Sequence, residues 1–596
     1  MTYAALPPDL VKKAMMEDIE YVRKMGVYPK VPKSEAGGKN IIKLRWIEVN
    51  KMDAQNPLIR SRVVAKEFND GVNPDLFAAA PPIEALRYLM SKVATRGGEK
   101  KYLMINDVSR AFFNVEVTRE LYVQLPPEDI LPGVENTGGR LSLCLCGTRD
   151  AAMQWQERVA EHLTEIGSQR SPAFPSLYHH VERKLCTLVH GDDYVTSGTK
   201  DQVKWLQQEL EKTFKIKTGI LGYDDKDVKA EAKVLNRLTK ASTEECTLEA
   251  DPRHAELLIE DLQIEKGLAT PGVVEDEDED DRELSEAGFT RYRSLTARAN
   301  YLATDRPDIS FSVKQLCRMM SKPTASSWTK LIRVVKYLHR NPRLVLKYEM
   351  QEEPVELDVL SDANWAGCKA TRQSTSGEVI MRGAHLIKSW SNNQNAVSLS
   401  SAELEFHATL KTAVEGLGMI TMASGLGDDY RVRLHVDASA ALGVIQRKGV
   451  GKIRHLHAGS LWVQEQQVRN SIAFAEVKGT NNPSDLFTKY LSREMIDVHL
   501  KCMKAEKTEG RSSKAAQLHQ LQRKLRQLKA QVKLKETKKH VVDDYEPKYS
   551  EDSFTVENFL NYVQKMSDEN DDRVEGGYQQ WIHSQCKQRG RNKTRL

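Results

Sequence analysis

Acidic residues that end short, β-prone runs are the side chains of this sequence with the clearest capacity for chemistry. Asp192 and Asp193 follow Gly191 at a corner between two such runs, residues 186–189 and 194–196. Glycine readily takes the positive φ that a tight corner needs, so the pattern predicts a β-hairpin with both carboxylates at its tip. Adjacent carboxylates repel each other unless a cation lies between them. The corner is therefore a candidate metal site, with a solvated turn as the alternative.

A third acidic residue follows another apolar run. Residues 102–105 read Tyr-Leu-Met-Ile, which is typical of a buried strand, and Asp107 lies just beyond them. An acid at a strand end can cap the following turn, or it can project into a cleft at the edge of the sheet. In the second case Asp107 would join Asp192 and Asp193 and complete a site for two cations.

Four further acids occupy comparable positions in the C-terminal half. Asp362 and Asp437 end predicted strands, whereas Glu403 and Asp485 lie in the first turns of predicted helices. Each alone is explained as a helix cap or a surface charge, but together they can converge on one edge of a sheet. Glu405 is the alternative to Glu403. The sequence thus predicts a second cluster of carboxylates.

The elements that must carry these acids follow from hydrophobic periodicity. In the C-terminal half the order is β-β-β-α-β-α-β-α, with strands at residues 355–361, 373–383, 387–391, 432–436 and 473–477. Near the N-terminus the pattern predicts a helix at 8–26 and strands at 41–49 and 59–65. Alternation on the last of these strands puts Arg60 and Arg62 on one face, where they can meet a phosphate or simply face solvent.

Bulk properties describe a packed, multidomain protein. Its 596 residues suffice for roughly three to five domains, and the net charge of +5 requires any nucleic-acid footprint to come from local patches. The 8 cysteines show no zinc-ligand spacing and no compact disulfide framework. No signal-peptide pattern and no apolar run of membrane-spanning length are found, so we expect a reduced intracellular protein without membrane contact.

Four blocks of the N-terminal half share their order and spacing with one known family. The blocks are Arg62-Val-Val-Ala-Lys-Glu-Phe, Asp107-Val-Ser-Arg-Ala-Phe-Phe-Asn, Cys146-Gly-Thr-Arg-Asp-Ala-Ala-Met-Gln-Trp155 and the Gly191-Asp192-Asp193 corner. Together they resemble the fingers block, the palm motif, the YGLKQAPRAW block and the YVDD block of copia-type retrotransposon reverse transcriptases. The chain departs from these patterns at Asn106, Arg110, His190 and Gly191.

The C-terminal half resembles the RNase H portion of the same family. The blocks Ser361-Asp362-Ala-Asn-Trp-Ala-Gly, Ser374-Thr-Ser-Gly and Ser400-Ser-Ala-Glu-Leu-Glu-Phe are similar to SDADWAG, STSG and LSSTEAEY. The resemblance implies an RNase H fold with metal ligands Asp362, Glu403, Asp437 and Asp485. Retroviral and cellular enzymes carry a mobile histidine shortly before the last acid. None lies between residues 458 and 485, and His455 and His457 are too far upstream to be assigned that role.

The resemblance implies two Mg²⁺-dependent reactions, with Mn²⁺ as the alternative cation. Asp107, Asp192 and Asp193 would hold two Mg²⁺ for polymerisation of dNTPs on an RNA template from a DNA primer. Arg62 would contact the triphosphate, and Phe112 would stack beneath the deoxyribose. At the second site, two Mg²⁺ would activate water to cut the RNA strand of an RNA/DNA hybrid.

The expected protein is therefore an α/β (α+β) chain, the C-terminal part of a Pol polyprotein, cytoplasmic in a virus-like particle or nuclear. The predicted domains are a fingers-palm-thumb polymerase at 1–265, a connection segment at 266–354, an RNase H-like domain at 355–495 and a charged tail at 496–596. The tail combines basic and acidic stretches with two leucine heptads, enough for a short coiled coil and self-association. The alternative functions are a decayed copy that only binds nucleic acid and a protein scaffold built on the tail.

Overall fold

The computed structural model describes residues 6–50, 57–68, 76–130, 136–223, 226–274, 281–364, 372–395, 397–451, 453–456, 458–512 and 515. It contains both helices and strands throughout, which confirms the predicted mixed fold class. Most of the charged tail, with its predicted coiled coil and self-association surface, lies outside the described residues. Within them, no helix has the length and apolarity required to span a bilayer.

The first part of the chain holds four helices and twelve strands among its described residues. The helices are α1 (Pro8–Met25), α2 (Ile83–Val93), α3 (Ala151–Glu165) and α4 (Lys200–Thr213). The strands are β1 (Lys30–Pro32), β2 (Ile41–Ile42), β3 (Leu44–Asn50), β4 (Ile59–Ala65), β5 (Lys101–Val108), β6 (Tyr122–Val123), β7 (Thr137–Arg140), β8 (Gln169–Arg170), β9 (Leu177–His180), β10 (Leu185–His190), β11 (Asp193–Thr199) and β12 (Ile216–Leu221). Short 3₁₀ turns lie at Lys33–Ala36, Ala111–Asn114 and Pro127–Asp129.

The middle part is a helical layer bounded by strands. Its strands are β13 (Glu231–Val234), β14 (Arg237–Ala241), β15 (Glu245–Ala250) and β16 (Arg343–Glu349). Its helices are α5 (Arg253–Asp261), α6 (Glu286–Ala303), α7 (Pro307–Arg318) and α8 (Ala325–Arg340). Thr324 begins α8 with a capping box, in which its hydroxyl accepts a hydrogen bond from the Ser327 amide and the Ser327 hydroxyl accepts one from the Thr324 amide.

The last part has the β-β-β-α-β-α-β-α order expected from the sequence, with one additional helix and one additional strand. Its strands are β17 (Glu356–Asn364), β18 (Thr375–Arg382), β19 (His385–Asn393), β20 (Arg431–Val436), β21 (Ile472–Glu476) and β22 (Ala505–Thr508). Its helices are α9 (Ser401–Ser424), α10 (Ser439–Gln446), α11 (Trp462–Val468) and α12 (Arg493–Cys502), with 3₁₀ turns at Ala458–Leu461, Gly479–Asn481 and Pro483–Phe487.

Three larger sheets organise these elements. The hairpin sheet has the order β12-β5-β11-β10-β9-β8, the middle sheet β13-β14-β15-β16-β22 and the C-terminal sheet β19-β18-β17-β20-β21. Successive residues of a strand point to opposite faces. Accordingly, Met104 packs with α3 and α4 on one face of the hairpin sheet, whereas Leu103 packs with α2 on the other. Two smaller sheets, β1-β7-β6-β2 and β3-β4, contain β1–β4, which precede the hairpin sheet, and β6 and β7, which lie between its strands β5 and β8 in sequence.

The middle sheet combines strands from three of the predicted domains. It combines β13–β15, from the predicted polymerase domain, with β16 from the predicted connection segment. Its edge strand β22 comes from the predicted tail and pairs antiparallel with β16. The elements from Glu231 to Glu349 thus form one unit that the predicted boundary at residue 265 divides. Sequence periodicity could not reveal this, since β15 and β16 pair across about 100 residues of sequence and such distant pairing leaves no local pattern.

Candidate active sites

The Gly191-Asp192 corner is a two-residue hairpin turn. Strands β10 and β11 pair antiparallel with His190 opposite Asp193, as the sequence predicts. Gly191 has φ +59°, while Asp192 is not among the residues with positive φ. A hairpin turn with a positive φ only at its first central residue is of type II′, which favours glycine at that position. Gly191 therefore lets the chain reverse without straining either aspartate.

Strand β5 brings the third acid to the same corner. Asp107 is directly opposite Asp193 in the antiparallel pair of β5 and β11, so the two side chains leave the sheet on one face. The Val108 amide donates to the Asp192 carbonyl at 2.8 Å and ties β5 to the turn. Asp193 is buried, whereas Asp107 and Asp192 are half-buried. The strand register thus places Asp107 opposite Asp193, with Asp192 next to it in the turn, and a cation site at this corner stays a prediction.

Trp155 stabilises the hairpin turn through a hydrogen bond, a role that the sequence motif alone did not suggest. Its indole Nε1 donates to the Gly191 carbonyl at 2.7 Å. The ring is buried on α3 and packs edge-on against Phe214 at 5.3 Å between centroids. A buried indole N–H normally finds an acceptor, and here the acceptor is the turn itself.

Arg62 lies on β4, and the end of this strand is hydrogen-bonded to the segment that precedes α3. The Ala65 amide donates to the Cys146 carbonyl at 2.7 Å. At Gly147, φ is +87° and an added Cβ would overlap the Ala65 carbonyl oxygen, so only glycine permits this contact. Just beyond β4, Glu67 accepts from both terminal nitrogens of Arg119 at 3.0 Å. The half-buried Arg62 is thus carried by a strand with a defined position relative to α3.

Phe112 lies in the 3₁₀ turn Ala111–Asn114 that follows β5. It is half-buried and packs against the apolar cluster that includes Trp155 and Met104. The turn begins at Arg110, which has the left-handed φ of +57°. Phe112 is therefore close in sequence to Asp107 and is supported by the same core as the hairpin corner.

The second site gathers at one end of the C-terminal sheet. Ser361 is in register with Val436 in the parallel pair of β17 and β20, so Asp362 and Asp437 lie side by side where these strands end. Glu405 approaches from α9. Each of Asp362, Glu405 and Asp437 offers a carboxylate oxygen, and these oxygens lie within 4.8 Å of one another. Among the described residues this is the one such group of three metal-ligating side chains.

Asp485 joins this group from the 3₁₀ turn Pro483–Phe487 rather than from the last helix, where the sequence predicted it. Two hydrogen bonds to β17 hold this segment: Asn482 Nδ2 donates to the Ser361 carbonyl at 2.8 Å, and Ser484 Oγ donates to the Leu360 carbonyl at 2.9 Å. Lys489 Nζ lies 2.8 Å from Asp485 Oδ1, which puts one positive charge at the edge of the acidic group.

Glu403 does not join the group, and the alternative, Glu405, takes its position. Glu403 accepts from the Leu399 amide at 2.8 Å, and its own amide donates to Ser400 Oγ at 3.3 Å. Its other oxygen faces His455 Nε2 at 3.0 Å. Glu403 thus closes the start of α9 as a capping residue. The structure thus brings Glu405, and not the predicted Glu403, to Asp362 and Asp437, since residues two apart on a helix face different sides.

Burial and mutual repulsion oppose ionisation of the second group. Burial raises the pKa of Asp362 to about 8, and the Asp485 carboxylate adds to the rise. Burial likewise raises the pKa of Glu405 to about 9, with contributions from Asp362 and Asp437. The pKa of Asp437 is also raised, by burial first and by Asp485 second. These carboxyl groups need a proton or a cation between them to remain in the folded protein.

Both acidic groups have the donor chemistry of a magnesium site. Mg²⁺ prefers a few carboxylate oxygens and completes its shell with water and phosphate oxygens. At the second group, Oε2 of Glu405 is buried and has no hydrogen-bond partner among the described residues, as expected for an oxygen that a cation would use. Asp362, Glu405 and Asp437 therefore fit a divalent cation, and Asp107, Asp192 and Asp193 offer the same ligand type.

Comparison with known proteins agrees with the sequence motifs. Residues 29–224 match the family described as "Reverse transcriptase (RNA-dependent DNA polymerase)", a range that includes the hairpin corner, Arg62 and Phe112. The chain is 25% identical over 468 residues to the "Retrovirus-related Pol polyprotein from transposon RE2" of Arabidopsis thaliana, covering 76% of this chain and 31% of that protein. It is 23% identical over 516 residues to the corresponding polyprotein from transposon TNT 1-94 of Nicotiana tabacum, covering 82% and 37%.

The chain thus spans about a third of the length of these relatives. Among solved structures, a foamy viral protease-reverse transcriptase in complex with double-stranded DNA is similar with a TM-score of 0.46 and 12% identity, covering 79% of this chain and 70% of that one. The family match ends at residue 224, before the second acidic group, whereas the similarity to the polyproteins extends over about three quarters of the chain.

Proposed function

The chain belongs to the copia-type retrotransposon Pol proteins, and on that basis we propose that it is an RNA-directed DNA polymerase. Its substrates would be an RNA template, a DNA primer and dNTPs. The observation that carries the proposal is the pairing of Asp107 directly opposite Asp193, with Asp192 next to it in the hairpin turn, inside the residues that match the reverse transcriptase family. Such a corner is suited to hold cations against the phosphates of a nucleotide.

The chemistry would follow a two-metal displacement. Asp107 and Asp192 would hold the cations, with Asp193 beside them. When bound, Mg²⁺ would lower the pKa of the primer 3′-hydroxyl and stabilise the leaving pyrophosphate. Arg62 would orient the triphosphate through paired hydrogen bonds. Phe112 would stack beneath the deoxyribose and exclude a 2′-hydroxyl, which selects dNTPs over ribonucleotides.

Primer extension on an RNA template by the full chain tests this proposal. Asp192→Asn keeps the shape of the side chain but removes a charge from the corner, so we expect a loss of about 10²-fold or more in extension. Asp201→Asn is the control, because Asp201 is exposed in the first turn of α4 and should tolerate the change. Equal extension by both variants, from an active parent, would show that Asp192 is not a ligand.

A second activity, cleavage of the RNA strand of an RNA/DNA hybrid, is proposed for the group around Asp362, Glu405 and Asp437. The raised pKa values of all three carboxyl groups support cation binding there. Asp437→Asn should reduce Mg²⁺-dependent hybrid cleavage by about 10²-fold or more while extension persists. The control, Asp429→Asn, changes an exposed residue just before β20. Matching cleavage rates for the two variants would remove Asp437 from the site.

The same experiments separate these activities from a role in binding alone. A decayed copy would bind the hybrid but neither extend a primer nor cleave RNA, and the His190-Gly191 departure from the family pattern is the feature that favours it. Loss of both activities in a folded Asp192→Asn variant would contradict the assignment of two separate sites, because Asp192 and Asp437 lie in different sheets.

A further inference from the structure

Helix α1 lies before residue 29, where the family match begins, yet it buries a carboxylate, Asp18, that contacts residues inside the match. Its inward face consists of Ala14, Asp18, Ile19 and Val22. Asp18 is only 2% exposed. A charge at such a position destabilises a protein unless it is paired and hydrogen-bonded. The groups that pair with Asp18 therefore indicate which role compensates for the burial of its charge.

Asp18 contacts two elements that carry proposed nucleotide-binding residues. Its Oδ2 accepts a hydrogen bond from the Val63 amide at 2.8 Å. Val63 directly follows Arg62 on β4. Its Oδ1 forms an ion pair with the Arg110 guanidinium. Arg110 lies between Asp107 and Phe112, so a single carboxylate connects the strand of Arg62 to the turn of Phe112.

Arg110 is held in an unusual backbone conformation by this arrangement. Its φ of +57° is in the left-handed region that side chains other than glycine and asparagine rarely adopt. The guanidinium lies 5.0 Å from the centre of the Tyr21 ring on α1. The Arg110 carbonyl accepts from the Phe113 amide at 2.9 Å and from Asn114 Nδ2 at 3.2 Å. The 3₁₀ turn that carries Phe112 therefore starts from a residue fixed by α1.

We propose that Asp18 is a positioning residue for the incoming deoxynucleoside triphosphate. Through Val63 and Arg110 it sets the distance between Arg62, at the triphosphate, and Phe112, at the sugar. This inference rests on the proposed polymerase function and extends it to a helix outside the family match. Small displacements of groups that orient a substrate have large kinetic effects, so loss of the Asp18 charge should be visible in nucleotide binding.

The test compares Asp18→Asn, Arg110→Gln and their combination in the full chain. Asn retains an oxygen for the Val63 amide but loses the ion pair. We expect the KM for a dNTP to rise about tenfold with kcat nearly unchanged, together with weaker discrimination against the matching ribonucleotide. The double variant should be no worse than either single one, since both remove the same interaction. Glu17→Gln, at an exposed position of the same helix, should behave as the parent.

Equilibrium binding of a dNTP to the protein with primer and template separates this inference from the polymerase proposal. A parent that binds dNTP without extending the primer contradicts the polymerase proposal alone. Unchanged dNTP affinity and KM in folded Asp18→Asn, with only a lower melting temperature, would overturn the positioning role. If Asp18→Asn does not fold, Arg110→Gln carries the test, because it removes the same ion pair while Asp18 can still accept from the Val63 amide. A parental KM in that variant would equally overturn the inference.

Discussion

Glu403 and Glu405 show how the phase of one helix decides which of two acids reaches Asp362 and Asp437. Two positions on α9 turn their side chains about 200° apart around the helix axis. Glu403 consequently faces the chain before the helix and His455, whereas Glu405 faces Asp362 and Asp437. Both are acidic residues of one short motif, so their types alone do not distinguish a cap from a ligand.

We expect Glu405→Gln to reduce Mg²⁺-dependent hybrid cleavage by about 10²-fold, because it removes a charge from the group that would hold the cation. Glu403→Gln should retain most cleavage, since a glutamine oxygen can still accept from the Leu399 amide. Titration of each variant with Mn²⁺, followed by electron paramagnetic resonance, measures cation binding independently of cleavage. Weaker binding in Glu403→Gln than in Glu405→Gln would reverse the assignment of the two residues.

At the scale of elements, β18 carries a buried acid outside both sites. Glu378 is fully buried between Ser361 of β17 and Trp390 of β19. Burial raises its pKa well above the ordinary value, and the Glu415 carboxylate adds to the rise. The group is therefore protonated in the folded protein at pH values where it is ionised in the unfolded chain. The contribution of Glu378 to the free energy of unfolding is complete below a pH of about 4.5, its ordinary pKa, and it is lost as the pH rises from there towards the pKa in the folded protein.

Replacement of Glu378 by Gln should remove this pH dependence. The free energy of unfolding of the variant should exceed that of the parent by an amount that grows by about 1.4 kcal/mol per pH unit above pH 5, until the folded pKa is reached. Urea unfolding at pH 5, 6 and 7 measures the difference. Glu352→Gln, at an exposed position before β17, serves as the control. Parallel stability profiles for Glu378→Gln and the parent would mean that Glu378 is ionised in the fold.

Strand β22 belongs to the middle sheet, although the other strands of that sheet all precede the C-terminal sheet in sequence. It pairs with β16 after the whole C-terminal sheet has been completed, and Lys504, just before β22, adds an ion pair to Glu349 at the end of β16. A chain ending after Met503 should therefore melt at a lower temperature than a chain ending after Ala515, because only the former lacks β22. Circular dichroism of both truncations tests this. Identical melting temperatures would show that β22 contributes nothing to the middle sheet.

Local structure could be predicted from the sequence, whereas contacts between distant segments could not. The Gly191-Asp192 hairpin and the ends of β17 and β20 were predictable, since turn chemistry and apolar runs are local signals. The role of β22 and the unity of the middle sheet were not, because pairing partners distant in sequence leave no such signal. For the same reason, the Trp155 motif was recognised but its hydrogen bond to the hairpin turn was not.

At the scale of the molecule, α2 joins the hairpin sheet to the C-terminal sheet through one shared core. Tyr88 and Leu103 belong to the same apolar cluster as Tyr348 and Ile387. Buried polar groups cross this joint. Arg382, fully buried on β18, donates to Ser91 Oγ at 3.0 Å and to Thr95 Oγ1 at 2.7 Å. The two acidic sites are thus carried by sheets whose relative position is fixed by packing rather than by a linker alone.

His385 is the titratable group at the centre of this joint. Its Nδ1 lies 2.8 Å from Ser91 Oγ, and its Nε2 lies 2.7 Å from the Glu349 carbonyl, an acceptor that requires the proton on Nε2. Burial lowers the pKa of His385 to about 4; the hydrogen bond to Glu349 opposes this shift, and the charge of Arg382 adds to it. The histidine is therefore neutral in the folded protein. Since the unfolded chain binds a proton below pH of about 6.5, stability falls from there towards pH 4.

His385→Gln should reduce this loss of stability towards low pH, because a glutamine amide can still donate to the Glu349 carbonyl but does not titrate. The parent should lose up to about 3 kcal/mol more than the variant between pH 6.5 and pH 4. Glu378 acts in the opposite direction over the same range, so the comparison needs the difference between variant and parent rather than the parental profile. His339→Gln, at an exposed position of α8, is the control. If urea unfolding shows the same fall in the free energy of unfolding between pH 6.5 and pH 4 for His385→Gln and the parent, the joint between the two sheets does not sense pH through His385.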